Sequence, residues 1–198
     1  MPVLIAATNH GKIREIQRAR DGTGLTFVTL ADRPALPEPE ETGATFAENA
    51  WIKASAYAAA TGLATLAEDS GLAIDALGGR PGVLSARYPG ATYPDKFSNL
   101  YAELEGQPQP WTGRFVSAIA LASPGADRPV FTAEGVSAGV IVRPPRGTRG
   151  FGYDPIFEYG TTGRTGGELT DTEKLAVSHR GRALEQFRRW LETSGFSG

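Results

Sequence analysis

The run Val3-Leu4-Ile5-Ala6-Ala7, followed by Thr8-Asn9-His10-Gly11 and then Lys12-Ile13-Arg14-Glu15-Ile16, is the stretch on which the fold turns. An apolar run without alternation is what a strand covered on both faces requires. The polar, glycine-containing tetrapeptide breaks it, and a helical pattern begins at Lys12. The chain therefore opens with a strand, a loop and a helix. The short apolar run has no basic lead, so it reads as a buried strand and not as a signal peptide.

Beyond this unit, a second strand is expected around Phe27 to Leu30, and Pro34, Pro37 and Pro39 then impose an extended connector that ends at Glu40-Glu41. Thr45-Phe46-Ala47-Glu48 has the form of a capping box, and the alanine-rich sequence behind it predicts a helix as far as Gly62. Asn49 and Lys53 are four apart on that helix and share a face beside Ala47, Ala50, Trp51, Ala54 and Ala58. Leu63 to Ala67 predicts a short strand ending abruptly at Glu68-Asp69-Ser70-Gly71, with alternation resuming from Leu72 to Leu77. A helix is expected from Pro94 to Gly106, and strands are expected over Arg114 to Ala122 and Val130 to Val142, able to pair as antiparallel neighbours. The glycine-rich stretch Gly147 to Asp154 follows, then a second capping box at Thr170-Asp171-Thr172-Glu173 and a closing helix buried through Leu184, Phe187 and Leu191.

With 198 residues, 40% of them hydrophobic and 21% charged, the chain is long enough to bury a core, and a single domain over 1–198 is expected. A net charge of −2 supplies no field for a nucleic acid polymer. The lack of cysteine excludes disulfides, thiolate zinc sites and a cysteine nucleophile. No run reaches membrane-spanning length, so the expected location is the cytoplasm.

Several polar groups are candidates for chemistry. Thr8-Asn9-His10-Gly11-Lys12 lies where helix amides and a lysine favour phosphate oxygens, although an ordinary turn with a solvated lysine explains it better on its own. Its spacing is not that of the G-x-x-x-x-G-K-[ST] phosphate loop. Glu40-Glu41 and Asp69 are hard oxygen ligands able to share a cation, while the acidic pair alone reads equally as a solvated loop. Ser70-Gly71 is either a substrate contact or a turn. With only His10 and His179, neither a serine-histidine arrangement nor a histidine metal site stands out. Phe151-Gly152-Tyr153-Asp154 and Ser178-His179-Arg180-Gly181 hold the rings, carboxylate, imidazole and guanidinium that stack and hydrogen-bond a base, or else a hairpin turn with core aromatics and a helix cap.

The order of the blocks carries more than any one of them. Asn9-His10-Gly11-Lys12 with Glu15, Glu41 to Ala50 with Lys53-Ala54, Glu68 to Leu72, Gly78-Gly79-Arg80-Pro81-Gly82 with Ser85-Ala86-Arg87-Tyr88, Gly150 to Phe157, and Glu168 through Lys174 to Gly181 span nearly the whole chain. In this order they resemble the inosine/xanthosine triphosphate pyrophosphatase family. The resemblance implies an elongated, two-lobed α/β fold with a central mixed sheet flanked by helices, an active-site cleft between the lobes, a homodimer, and Mg2+ as cofactor. It implies hydrolysis of ITP, dITP and XTP to the monophosphate and pyrophosphate. By resemblance Thr8, Asn9, His10, Gly11, Lys12, Lys53 and Ser70 contact substrate; Phe151, Gly152, Tyr153, Asp154, Lys174, His179 and Arg180 recognise the nucleotide and base; Glu40 and Asp69 hold metal; and Asp69 is catalytic. Ala7 stands where the family usually has Ser or Thr, so a hydroxyl there has to come from Thr8. A non-catalytic nucleotide sensor has little use for Glu40 together with Asp69, and a pyrophosphatase for other modified nucleotides would alter the Phe151 and His179 blocks.

Overall fold

The computed structural model describes residues 2–18 and 24–197. The main elements run β1 (Val3–Ala6), α1 (His10–Arg18), β2 (Phe27–Thr29), α2 (Phe46–Thr61), β3 (Thr65–Ile74), α3 (Tyr93–Leu104), β4 (Trp111–Ala122), β5 (Phe131–Ile141), β6 (Phe157–Tyr159), β7 (Arg164–Thr165), α4 (Asp171–Val177) and α5 (His179–Ser194). One seven-stranded sheet has the order β2-β1-β3-β4-β5-β6-β7. β1 is parallel to β2 and β3, with Leu4 opposite Thr65 and Ala6 opposite Ala67, whereas β5, β6 and β7 pair antiparallel. The mixed sheet and its helices make this an α/β protein, as expected.

The chain forms two compact units. One comprises Met1–Asp69, Ser117–Gly135 and Arg180–Gly198, the other Ser70–Val116 and Val136–His179. In the first unit, Leu4 and Ala6 of β1, Ala67 of β3 and Ala118, Ala120 and Ala122 of β4 pack against Ala50, Ala54, Tyr57 and Ala58 of α2. Small residues on both sides let helix and sheet approach closely. In the second, Phe97, Leu100, Tyr101 and Leu104 of α3 join Trp111, Phe115, Tyr153, Phe157 and Tyr159 in an aromatic core. Among the described residues, no helix is long and apolar enough to cross a membrane.

Local chemistry accounts for the helix ends. Thr45 accepts from the amide of Glu48 in a complete capping box at the head of α2, and Gly62 ends that helix at φ 68°, a conformation glycine adopts without strain. Thr170 and Glu173 cap α4 in the same way. Helix α1 starts at His10, earlier than expected, because Asn9 Oδ1 accepts from the amides of Gly11 (2.8 Å) and Lys12 (3.1 Å).

The sequence misplaced one strand end. The strand expected to stop at Ala67 continues as β3 through Glu68-Asp69-Ser70-Gly71 to Ile74. What stops there is its neighbour: the pairing of β1 with β3 ends at Ala6 and Ala67, after which β1 gives way to the Ala7–Asn9 loop. Glu68 and Asp69 therefore lie in mid-strand, beyond the carboxyl end of β1.

Candidate active site

Alternation along β3 directs Glu68 and Asp69 to opposite faces of the sheet. Asp69 follows Ala67 on the face covered by α2, where Lys53 Nζ lies 3.7 Å from Asp69 Oδ1 and Asn49 Nδ2 donates to Asp69 Oδ2 at 3.1 Å. Lys53 Nζ also donates to Glu41 Oε1 and to the backbone oxygen of Glu68, both at 2.7 Å. Glu68 faces α1 and α5. Its Oε1 accepts from Ser117 Oγ (2.8 Å) and from Nε (3.2 Å) and Nη2 (2.9 Å) of Arg180, and its Oε2 pairs with Lys12 Nζ at 2.9 Å. Arg180 is bonded through Nη1 to Glu15 Oε2 as well. The result is a buried cluster in which Arg180 is 1%, Glu68 2% and Asp69 6% exposed.

The two acids experience this cluster differently. Desolvation is the largest influence on both and raises both. For Glu68 the charges of Arg180 and Lys12 more than offset it, and the carboxyl stays well below the usual range. For Asp69 the charges of Lys53 and Lys12 do not, Glu68 and Glu41 push the same way as burial, and the carboxyl rises. Glu68 is thus a fixed anion holding cations in place, while Asp69 is a carboxylate of increased basicity, suited to accept a proton or to meet a further cation.

Glu40 is exposed in the irregular segment before α2, next to Glu41. Among the described residues, no group of three or more His, Asp or Glu side chains is gathered into a ready cage for an ion. Magnesium takes one or two carboxylates and completes its shell with water and substrate phosphate. An oxygen-only donor set containing a buried carboxylate with a raised pKa fits such a cation.

The second unit holds the other candidates. Asp154 Oδ2 accepts from Lys174 Nζ at 2.6 Å, an ion pair buried on both sides, and from the Phe151 amide at 2.7 Å. Lys174 Nζ also lies 4.4 Å from the centroid of the half-buried Phe151 ring. His179 is buried and stacks on Phe115 with centroids 4.6 Å apart and planes 15° from parallel. The Tyr153 side chain belongs to the core, where its hydroxyl donates to the Ser85 oxygen at 2.8 Å. Gly152 has φ 66°, and Gly150 has φ 71° with the Asp154 carboxylate lying where a Cβ would go.

The structure thus brings Lys12, Lys53 and Asp69 into one cluster, and Phe151, Asp154 and Lys174 into another. Arg180, grouped with the base-recognition residues on the sequence, is held with the carboxylates by Glu15 and Glu68. Asn9 spends its side-chain oxygen on capping α1, so the amides of Gly11 and Lys12 are already engaged. Thr8 is exposed in the same loop, His10 is exposed at the start of α1, and Ser70 is half-buried on β3.

Residues 3–190 match the Ham1 family. The chain belongs to that family. Within it, a Geobacter sulfurreducens protein named dITP/XTP pyrophosphatase is 49% identical over 98% of each chain. A Mycobacterium tuberculosis protein of the same name is 48% identical over 92% of this chain and 91% of its own. Among solved structures, a HAM1 protein from Coxiella burnetii superposes with a TM-score of 0.89 at 41% identity, covering 97% of this chain and 98% of that one. The Staphylococcus aureus Ham1 protein gives 0.86 at 31% identity, covering 98% and 100%. The family and the α/β class expected from the sequence are both borne out.

Sequence reasoning gave no site role to Glu15, Asn49, Glu68 or Ser117 of this Ham1 chain, and it offered Glu41 only as a cation ligand, not as the partner of Lys53 that it is. The signal for Ser117 was a lone hydroxyl in the apolar run Phe115 to Ala122, and for Glu68 an acid directly continuing an apolar strand. Each asks for a buried partner. Gly166 is informative in another way: a Cβ there would lie 2.5 Å from Asp154 Oδ1 and 2.8 Å from its Cγ. Gly166→Ala is expected to displace the Asp154 carboxylate from Lys174 and to raise KM for nucleotide by about tenfold, with a smaller change in kcat. Steady-state kinetics checks this; an unchanged KM removes the Asp154–Lys174 pair from nucleotide binding.

Proposed function

We propose that this protein hydrolyses non-canonical purine nucleoside triphosphates, ITP, dITP and XTP, to the monophosphate and pyrophosphate. The observation that carries the reading is the pairing of a buried, unusually basic Asp69 with two lysines held in one cluster, in a chain nearly half identical to dITP/XTP pyrophosphatases. Asp69 takes the proton of the attacking water as its oxygen bonds to phosphorus and the bond to the leaving pyrophosphate breaks. Lys12 and Lys53 turn from Glu68 and Glu41 toward the triphosphate and stabilise the charge that builds on pyrophosphate. Asp69 and Glu40 would hold magnesium, which would supply Lewis-acid neutralisation of phosphate oxygens.

The base falls to the second unit. A purine stacked on Phe151 meets Lys174, whose ammonium donates to a 6-oxo group and repels the amino donor of adenine. Asp154 fixes that ammonium in place. The reading further takes the protein as a cytoplasmic homodimer, as the family resemblance implies.

Incubation with magnesium and, separately, ITP, dITP, XTP, ATP and GTP, with pyrophosphate release measured, tests the proposal. The 6-oxo substrates ITP, dITP and XTP are expected to exceed ATP in kcat/KM by up to about 10⁴-fold. Equal turnover of all five overturns it.

A further inference from the structure

Asn49 has no part in binding phosphate, metal or base as described so far, yet it is among the most deeply buried polar side chains of its unit, 1% exposed. Both ends of its amide are used. Oδ1 accepts from the Gly43 amide at 2.8 Å, and Nδ2 donates to Asp69 Oδ2 at 3.1 Å. An N–H on one side and a carboxylate on the other fix the amide in one orientation, because only its oxygen accepts and only its nitrogen donates.

The residues around Gly43 show what this holds in place. Glu48 Oε2 accepts from the amides of Ala44 (2.7 Å) and Thr45 (3.0 Å), so the segment leading into α2 is folded back onto the first turn of that helix. Gly43 is pressed so closely against it that a Cβ would stand 2.6 Å from Glu48 Cβ and 2.8 Å from Asn49 Oδ1. Just upstream, Glu41 is tied to Lys53, and Lys53 is within 3.7 Å of Asp69. Asn49 therefore bonds both the backbone just after the acidic pair, at Gly43, and the carboxylate of Asp69.

We propose that Asn49 is a positioning residue for the reaction: by holding Asp69 Oδ2 it fixes the orientation in which that carboxylate meets the reacting water, and it sets the spacing between Asp69 and the Glu40-Glu41 segment. This rests on the pyrophosphatase reading above. Asn49→Asp separates the two bonds, since a carboxylate still accepts from the Gly43 amide but has no donor for Asp69, and sets like charge against it. Asn49→Leu removes both while keeping the same branching at Cγ.

The experiment measures kcat and KM for ITP hydrolysis, the affinity for a non-hydrolysable ITP analogue, and the melting temperature. Asn49→Asp is expected to lower kcat by about 10- to 100-fold, the usual effect of losing a group that orients a site carboxylate, with KM and analogue affinity nearly unchanged. Asn49→Leu is expected to lower kcat at least as far and to weaken the analogue as well, because the acidic segment is released. A purely structural Asn49 would show equal losses in kcat, analogue affinity and melting temperature in both variants, and that pattern overturns the proposal. So does an Asn49→Asp enzyme with wild-type kcat. If instead the unaltered protein fails to release pyrophosphate from ITP, it is the functional reading that falls.

Discussion

Asp69→Asn is expected to lower kcat for ITP by about 10²- to 10⁴-fold, the range spanned by general-base catalysis. The side chains are nearly isosteric, and the asparagine Oδ1 still accepts from Asn49 Nδ2, so the change removes basicity and charge and keeps the shape. Stability should move the other way. A carboxyl whose folded pKa is raised favours its protonated form in the native protein, so it stabilises the fold below its ordinary pKa and costs stability once pH rises above that value. At neutral pH the neutral amide escapes that cost, and the variant should melt no lower than the parent, trading activity for stability. Steady-state kinetics with thermal unfolding at neutral pH separates the outcomes. Lost turnover with an undiminished melting temperature assigns Asp69 to the chemistry, whereas kcat within about tenfold of the parent excludes it as the base.

The parts of this molecule that could be read from sequence are those whose causes lie within one turn of chain. The bounds of α2 were legible because Thr45, Glu48 and Gly62 act on backbone groups a few residues away. β1 was legible because burial on both faces leaves an uninterrupted apolar run. Glu68-Asp69-Ser70-Gly71 was misread as a strand end because two adjacent acids have no place in a buried strand unless partners neutralise them, and the partner that decides the matter, Arg180, is 112 positions away. The same distance hid the location of Arg180 itself: next to His179 in sequence, it turns to Glu68 and Glu15 while His179 stacks on Phe115. Asn49 and Lys53 were recognisable as one helix face, but that the face meets Asp69 depends on how α2 lies across the sheet. Resemblance to a family supplied roles for individual residues that spacing alone left open.

Arg180→Leu is expected to be the most destabilising single change at the site. The guanidinium is fully buried, and three of its nitrogens bond two carboxylates, Glu68 and Glu15. A leucine leaves both acids in the interior with one cation fewer, and removing one partner from a buried ionic group costs about 3–5 kcal/mol. The loss should depend on pH, with a definite sign. In the parent, desolvation raises the Glu68 pKa but Arg180 and Lys12 outweigh it, so its folded pKa lies well below the ordinary 4.5. A depressed folded pKa contributes stability that is present above the ordinary value and lost as pH falls toward the folded one. In the variant the desolvation of Glu68 is opposed only by Lys12 and, more weakly, Lys53, and that contribution shrinks, so the gap between the two proteins is widest near neutrality and narrows as pH drops below about 4.5. Adding Glu68→Gln should recover part of the loss at neutral pH, since a neutral amide can stay buried against Ser117 without a counter-charge. Denaturant unfolding of the parent, both single variants and the double variant at neutral and acid pH measures this coupling. Strict additivity at neutral pH would mean that Arg180 and Glu68 stabilise the fold independently, and that the buried cluster around Asp69 is not held together by their charges.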